Sequence, residues 1–98
     1  MVEVRETEEF SDWLSALRDA RAKAKVLVRI ARLATGNPGD VQSVGKGVSE
    51  LRINYGPGYR VYYIQRGTRY VLLLVGGDKG KQKYDIAKAK RLAAQYQE

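Results

Sequence analysis

The fold is decided by residues 51–86, LRINYGPGYRVYYIQRGTRYVLLLVGGDKGKQKYDI. This stretch predicts a β-hairpin, then a strongly apolar strand, then a glycine-opened loop with three alternating lysines. Gly56-Pro57-Gly58 is typical of a three-residue hairpin loop, so Tyr55 and Tyr59 are expected to face each other. The apolar run at 71–75 lacks alternation, which predicts a central strand covered on both faces and ended by the glycines that follow it.

The predicted hairpin places four polar side chains on one face of the sheet. Arg60 is expected opposite Asn54, and Arg52 opposite Tyr62. Side chains two positions apart in a strand project from the same face. Two guanidiniums, an amide and a phenol gathered there indicate a site for a polyanion.

The flanking sequence predicts an α+β fold in one domain, residues 1–98. Thr7 can cap a first helix, whose apolar side chains recur at helical spacing from Phe10 to Leu17. The order of elements is β-α-α-β-β-β-α, with both N-terminal helices on one face of a small, mainly antiparallel sheet. The other elements are expected as follows: a strand over residues 2–5, a helix over 19–34, strands within 41–55, 59–65 and 70–75, and a last helix from 84.

Composition excludes several classes of site. The 98 residues include no cysteine and no histidine, which removes disulfides, thiolate zinc sites and catalytic arrangements that depend on either residue. We expect no bound metal and no cofactor. A secretory signal and an apolar run long enough to cross a membrane are both lacking, so the expected setting is cytoplasmic.

Charge is distributed unevenly along the chain. Residues 1–19 carry a net charge of −4 and residues 20–98 a net charge of +11, which together give +7. A basic body of this density favours an anionic partner, nucleic acid first among them. Charge alone does not distinguish RNA, DNA and an acidic protein, and a merely soluble basic protein is the plainer alternative.

The loop after the apolar strand carries Lys79, Lys81 and Lys83, with Tyr84 beside them. Glycine allows close approach of the backbone to a ligand, and lysines supply point charges for phosphate. The G-x-x-x-x-G-K-[ST] phosphate loop is not present. A solvated surface loop explains the lysines alone, but their position beyond the arginine face favours a binding role.

Taken together, these motifs resemble the RelE/ParE superfamily of toxin–antitoxin toxins, and within it the phage-related addiction-module killer proteins, a HigB-like group. The likeness covers nearly the whole chain. It rests on TEEF at 7–10, WL at 13–14, ELRI at 50–53, YGPGYRVY at 55–62, LLL at 72–74, GGDK at 76–79, and Gln82 with Asp85-Ile86.

This resemblance implies an endoribonuclease that cuts mRNA on the ribosome without a metal and is held inactive by an antitoxin, often of the helix-turn-helix type. Arg60 matches the strand arginine of the family and is the candidate for stabilising the pentacoordinate phosphate. Arg52 and Lys79 are further catalytic candidates, and Tyr84 is the candidate for proton transfer, with Tyr62 as its substitute. The predicted contacts to RNA are Lys46, Asn54, Tyr62, Lys81 and Lys83.

Two other functions fit the same sequence. A ParE-like gyrase inhibitor would use the fold to bind a protein and would not need the aligned arginines. A non-catalytic nucleic-acid-binding module would use the basic surface and would show strong salt dependence without cleavage.

Overall fold

The computed structural model describes residues 1–96. Its strands are β1 (Glu3–Glu6), β2 (Val41–Gly45), β3 (Val48–Ile53), β4 (Tyr59–Arg66) and β5 (Tyr70–Asp78). Its helices are α1 (Glu8–Ala16), α2 (Ala20–Ala34) and α3 (Gln82–Gln95), the last preceded by a 3-10 turn, Lys79–Lys81. The predicted α+β fold, with both N-terminal helices on one face of the sheet, is confirmed.

The sheet has the strand order β1-β5-β4-β3-β2. β1 runs parallel to β5, and the other three pairs are antiparallel. The single strand predicted within residues 41–55 is wrong, because Lys46 and Gly47 adopt φ of +54° and +78° and turn the chain into a hairpin of β2 and β3. The observed order of elements therefore contains one more strand than predicted.

Helices cover the sheet on both faces. α1 and α2 bury Phe10, Val26 and Ile30 on one face, as predicted. α3 buries Ala89 and Leu92 on the other face. β5 lies between β1 and β4 and is buried almost throughout, which confirms its predicted central position and explains why its side chains do not alternate.

Thr7 connects α1 to β5. Its Oγ1 accepts a hydrogen bond from the Phe10 backbone N–H at 3.0 Å, as the predicted helix cap requires, and donates one to the Leu74 carbonyl at 2.7 Å. Leu74 is the extra residue of a β-bulge, because Leu73 pairs with Tyr63 and Val75 pairs with Tyr62. The cap therefore also satisfies a carbonyl at an irregular point of the sheet.

The register of β3 and β4 differs from the predicted one by two residues. Arg52 pairs with Arg60, and Ile53 pairs with Tyr59, because the connection takes five residues, 54–58, instead of three. A shift of two preserves the faces of the sheet. The two arginines therefore share a face, as predicted, and are direct neighbours.

The prediction that the glycines at 76 and 77 end β5 is wrong. They instead allow α1 and α3 to approach the strand closely. A Cβ on Gly76 would lie 2.0 Å from the Trp13 ring of α1, and one on Gly77 would lie 2.0 Å from Asp85 Oδ2 of α3. The strand runs on to Asp78. The two glycines therefore fix where α1 and α3 sit at this end of the sheet.

We expect Gly76→Ala to lower the free energy of unfolding by about 1–3 kcal/mol, because the added methyl overlaps a ring held between the helix and the sheet. Urea denaturation measures this change. Gly80→Ala is the control, since the nearest atom to its Cβ would be a side-chain oxygen of Asp78 at 3.1 Å, which can move. Equal stability of the two variants would contradict the close packing at Gly76.

Candidate functional site

A buried carboxylate organises the face that carries the arginines. Glu50 of β3 is completely buried. Its Oε1 accepts a hydrogen bond from Arg52 Nε at 2.9 Å, and its Oε2 accepts from the Tyr62 hydroxyl at 3.0 Å and from Gln82 Nε2 at 2.7 Å. We call Glu50, Arg52, Arg60, Tyr62 and Gln82 the Glu50 cluster.

The local sequence explains how the Glu50 cluster forms. Glu50 and Arg52 are two apart in β3 and so project from the same face. Tyr62 is the cross-strand partner of Glu50. Gln82 is the first residue of α3, the helix that covers this face, and it supplies the last donor.

The hydrogen bonds hold Glu50 in its charged form. Burial alone would raise the pKa of Glu50, but hydrogen bonds from Arg52, Gln82 and Tyr62, with the charge of Arg52, outweigh burial and lower the pKa below its usual value. Burial and, to a smaller extent, the hydrogen bond to Glu50 raise the pKa of Tyr62 well above its usual value. Tyr62 is thus a neutral donor, and Glu50 a fixed anion.

Arg60 completes the cluster from β4. Its Nε lies 3.9 Å from Glu50 Oε1 and has no hydrogen-bond partner among the described residues. Its Nη1 donates to the carbonyls of Gly58 and Tyr59 at 3.2 and 3.3 Å. The side chain is 13% exposed, so the guanidinium is held in place with few degrees of freedom.

Lys79 lies beside Arg60 at the end of β5. A Cβ on Gly58 would meet Arg60 Nη1 and Lys79 Cβ, each at 3.4 Å, so both side chains rest on this glycine. Arg52 forms the rim of the same surface, with its side chain 34% exposed. Two arginines thus flank one buried carboxylate, and Lys79 beside Arg60 adds a third positive charge, which leaves the surface positive.

The structure does not bring every predicted residue to this surface. Tyr62 is fully buried and offers no surface for contact with RNA. Asn54 lies beyond the end of β3, opposite neither arginine, and lines a separate cavity with Arg21 and Lys25 of α2. Lys46 lies in the β2–β3 turn, six residues from Arg52 and therefore ~20 Å along the strand.

The predicted lysine loop is instead a 3-10 turn that leads directly into α3. Lys81 and Lys83 are both exposed. Tyr84 is 62% exposed and lies two residues after Gln82, about 200° around the helix. Because Gln82 points to Glu50, Tyr84 points away from the Glu50 cluster, into a second cleft that it lines with Lys81 and Trp13.

Sequence reasoning missed Glu50 and Gln82 as members of the site. Glu50 stands two residues before Arg52, and this i, i+2 pair of opposite charges was the available signal. The contribution of Gln82 depends on where α3 crosses the sheet, which no local pattern indicates.

Comparison with known proteins supports this description of the fold and identifies the family. The family model described as "Phage derived protein Gp49-like (DUF891)" matches residues 12–97. This chain belongs to the Gp49-like family. Membership and fold together support the toxin–antitoxin context that the sequence resemblance implies.

Two relatives extend the comparison of this Gp49-like protein. A protein of Haemophilus influenzae with the description "Uncharacterized protein" is 50% identical over 92 residues, which are 94% of this chain and 93% of the relative. The solution structure of a conserved hypothetical protein from Helicobacter pylori matches with a TM-score of 0.55 at 18% identity, over 82% of this chain and 97% of that one. The second likeness is one of fold.

Among residues 1–96 of this Gp49-like protein, no helix combines the length and the apolar character that crossing a membrane requires.

Proposed function

We propose that this chain is the toxin of a toxin–antitoxin module and acts as a metal-independent endoribonuclease on mRNA at the ribosome. The family and the fold support the toxin role. The observation that carries the nuclease proposal is the pair of cross-strand arginines at the buried Glu50, with Lys79 beside Arg60. An antitoxin partner follows from the same proposal.

The proposed chemistry uses a nucleophile that RNA itself carries. The 2′-OH attacks the adjacent phosphorus, the bond to the 5′-oxygen breaks, and the products are a 2′,3′-cyclic phosphate and a 5′-hydroxyl. The protein must hold the nucleophile in line and neutralise the charge that grows on the phosphoryl oxygens. Neither task requires a metal.

Arg60 is proposed to bind the pentacoordinate phosphate. Its guanidinium lies beside Lys79, so two positive charges meet at one point, and a guanidinium suits a phosphate because its donors form a planar fork. Arg52, on the rim, and Lys79 attract the neighbouring phosphates. Glu50 fixes the direction of Arg52 by a hydrogen bond and attracts Arg60.

Glu50 and Tyr62 are not suited to move the proton. The carboxylate of Glu50 already accepts three hydrogen bonds, and the pKa of Tyr62 is raised far from neutrality. These observations favour a second candidate function, in which the same surface binds RNA phosphates without cutting.

The test is to express the chain in a bacterial host and map new 5′ ends on cellular RNA, with the chemistry of each end determined. We expect cuts within translated codons that carry 5′-hydroxyls, and purified ribosomes programmed with mRNA should yield the same cuts. Ends with 5′-phosphates would contradict the mechanism. Growth arrest with no new ends would instead support gyrase inhibition, and salt-sensitive RNA binding without cleavage would support the binding module.

A further inference from the structure

A second cleft, of about 330 Å³, lies beside the end of β5 between α1 and α3. Two aromatic side chains line it, Trp13 from α1 and Tyr84 from α3. Lys81 and Lys88 contribute positive charge to its walls, and Glu9 and Asp78 contribute negative charge. The proposed phosphate chemistry uses none of these side chains.

A buried carboxyl forms part of the wall of this cleft. Asp85 is 4% exposed, and its Oδ2 has no hydrogen-bond partner among the described residues. Burial raises the pKa of Asp85, while Lys81 and Lys88 oppose that change. A buried acceptor without a donor costs stability, and such groups in native proteins call for an explanation. An N–H group of a bound ligand would satisfy this oxygen.

The sequence makes room for the carboxyl at this point. A Cβ on residue 77 would lie only 2.0 Å from Asp85 Oδ2, so the glycine leaves room for this oxygen. Asp85 also lines the cleft, so a ligand bound there lies against this side chain.

The cleft is adjacent to the proposed phosphate site. Gly77, which lines the cleft, is the cross-strand partner of Arg60, and neighbouring strands lie about 5 Å apart. A ligand that places a phosphate at Arg60 can therefore place the next base in the cleft.

We infer that this cleft binds one base of the RNA beside the cut phosphate and that Asp85 selects guanine. This inference rests on the proposed ribonuclease function. Guanine presents two adjacent donors, N1–H and N2–H₂, which a carboxylate can accept together. The corresponding edges of adenine, cytosine and uracil place an acceptor beside the donor, which repels the second carboxylate oxygen. Tyr84, which is 62% exposed, offers a ring face for stacking, Trp13 borders the cleft, and the two lysines attract the backbone.

The chain contains a single tryptophan, so its fluorescence reports directly on the cleft. The probes are four 2′-O-methylated, uncleavable RNA hexamers of uridine in which the third base is guanine, adenine, cytosine or uracil. We expect saturable quenching of Trp13, with the guanine hexamer bound about tenfold or more tightly than the others, as a bidentate contact to a base implies. Uniform affinity for all four hexamers would overturn the assignment of Asp85.

Asp85→Asn keeps the shape of the side chain and is expected to remove most of the guanine preference. Tyr84→Ala is expected to lower the affinity for all four hexamers by a similar factor, since stacking is tolerant of sequence. Tyr96→Ala is the matched control, because Tyr96 is an exposed tyrosine at the other end of α3 and should leave binding unchanged. If Asp85→Asn fails to fold by circular dichroism, the Tyr84 and Tyr96 pair still tests occupancy of the cleft.

Cleavage, assayed separately, distinguishes this inference from the proposed function. Guanine-selective quenching without cleavage would support the cleft and contradict the nuclease. Cleavage with no guanine preference, unchanged in Asp85→Asn, would support the nuclease and overturn the cleft.

Discussion

Replacing Arg60 with alanine is expected to lower the rate of RNA cleavage by about 10²–10³-fold, because it removes the donor best placed to stabilise charge on the phosphoryl oxygens. The measurement is the single-turnover cleavage rate of mRNA on purified ribosomes. The fold should survive, since Glu50 keeps its hydrogen bonds from Arg52, Tyr62 and Gln82. Thermal unfolding monitored in parallel separates lost chemistry from lost structure.

A matched control for Arg60 lies on the same strand. Arg66 is at the opposite end of β4, and within residues 1–96 its guanidinium donates to the Tyr96 carbonyl at 3.4 Å. Arg66→Ala removes the same charge from the same strand and should change the cleavage rate by less than about threefold, the effect of a distant exposed charge. Equal rates for the Arg60 and Arg66 variants, in folded protein, would remove Arg60 from the site.

Arg60→Lys separates charge from geometry. Lysine keeps the positive charge but presents a point charge instead of a planar fork, and it cannot place a donor where Nε faces Glu50. We expect this variant to recover only part of the rate that alanine loses. Full recovery would show that charge near the phosphate is sufficient.

Local chemistry made much of the fold predictable. Thr7 marks the start of α1, Asp19 caps α2 by accepting from the backbone N–H groups of Arg21 and Ala22, and the apolar run of β5 marks a central strand. The β2–β3 hairpin is not predicted because its turn requires the non-glycine residue Lys46 at positive φ, a conformation that the sequence does not indicate.

The candidate site was predictable only where it depends on strand alternation. Arg52 and Arg60 share a face in any register that differs from the true one by an even number of residues, so the wrong register still grouped them correctly. Gln82 and Asp85 could not be placed, because their positions depend on how α3 packs on the sheet. Tyr84 illustrates the same limit, since its proximity in sequence to the lysines does not determine the side of the helix from which it projects.

Glu50→Ala is expected to lower the free energy of unfolding by about 3–5 kcal/mol, because it leaves Arg60, whose side chain is 13% exposed, without its opposite charge and leaves three donors without an acceptor. Arg52 Nε, the Tyr62 hydroxyl and Gln82 Nε2 all lose their bonds at once. Urea denaturation at neutral pH measures the change. Glu6→Ala is the control, since Glu6 is an exposed glutamate of β1, and it should change stability by no more than about 0.5 kcal/mol.

The dependence of stability on pH tests the same carboxylate without creating a cavity. The pKa of Glu50 is lowered in the folded protein, so its contribution to stability is present above the unfolded pKa of about 4.3 and is lost as pH falls through the lower folded value. Glu50→Gln has no such titration. The stability of the native protein should therefore fall more steeply than that of Glu50→Gln as pH drops below about 4. Parallel curves for the two proteins would mean that the charge of Glu50 does not contribute to the stability of the fold, and that Arg52 and Arg60 are positioned by other contacts.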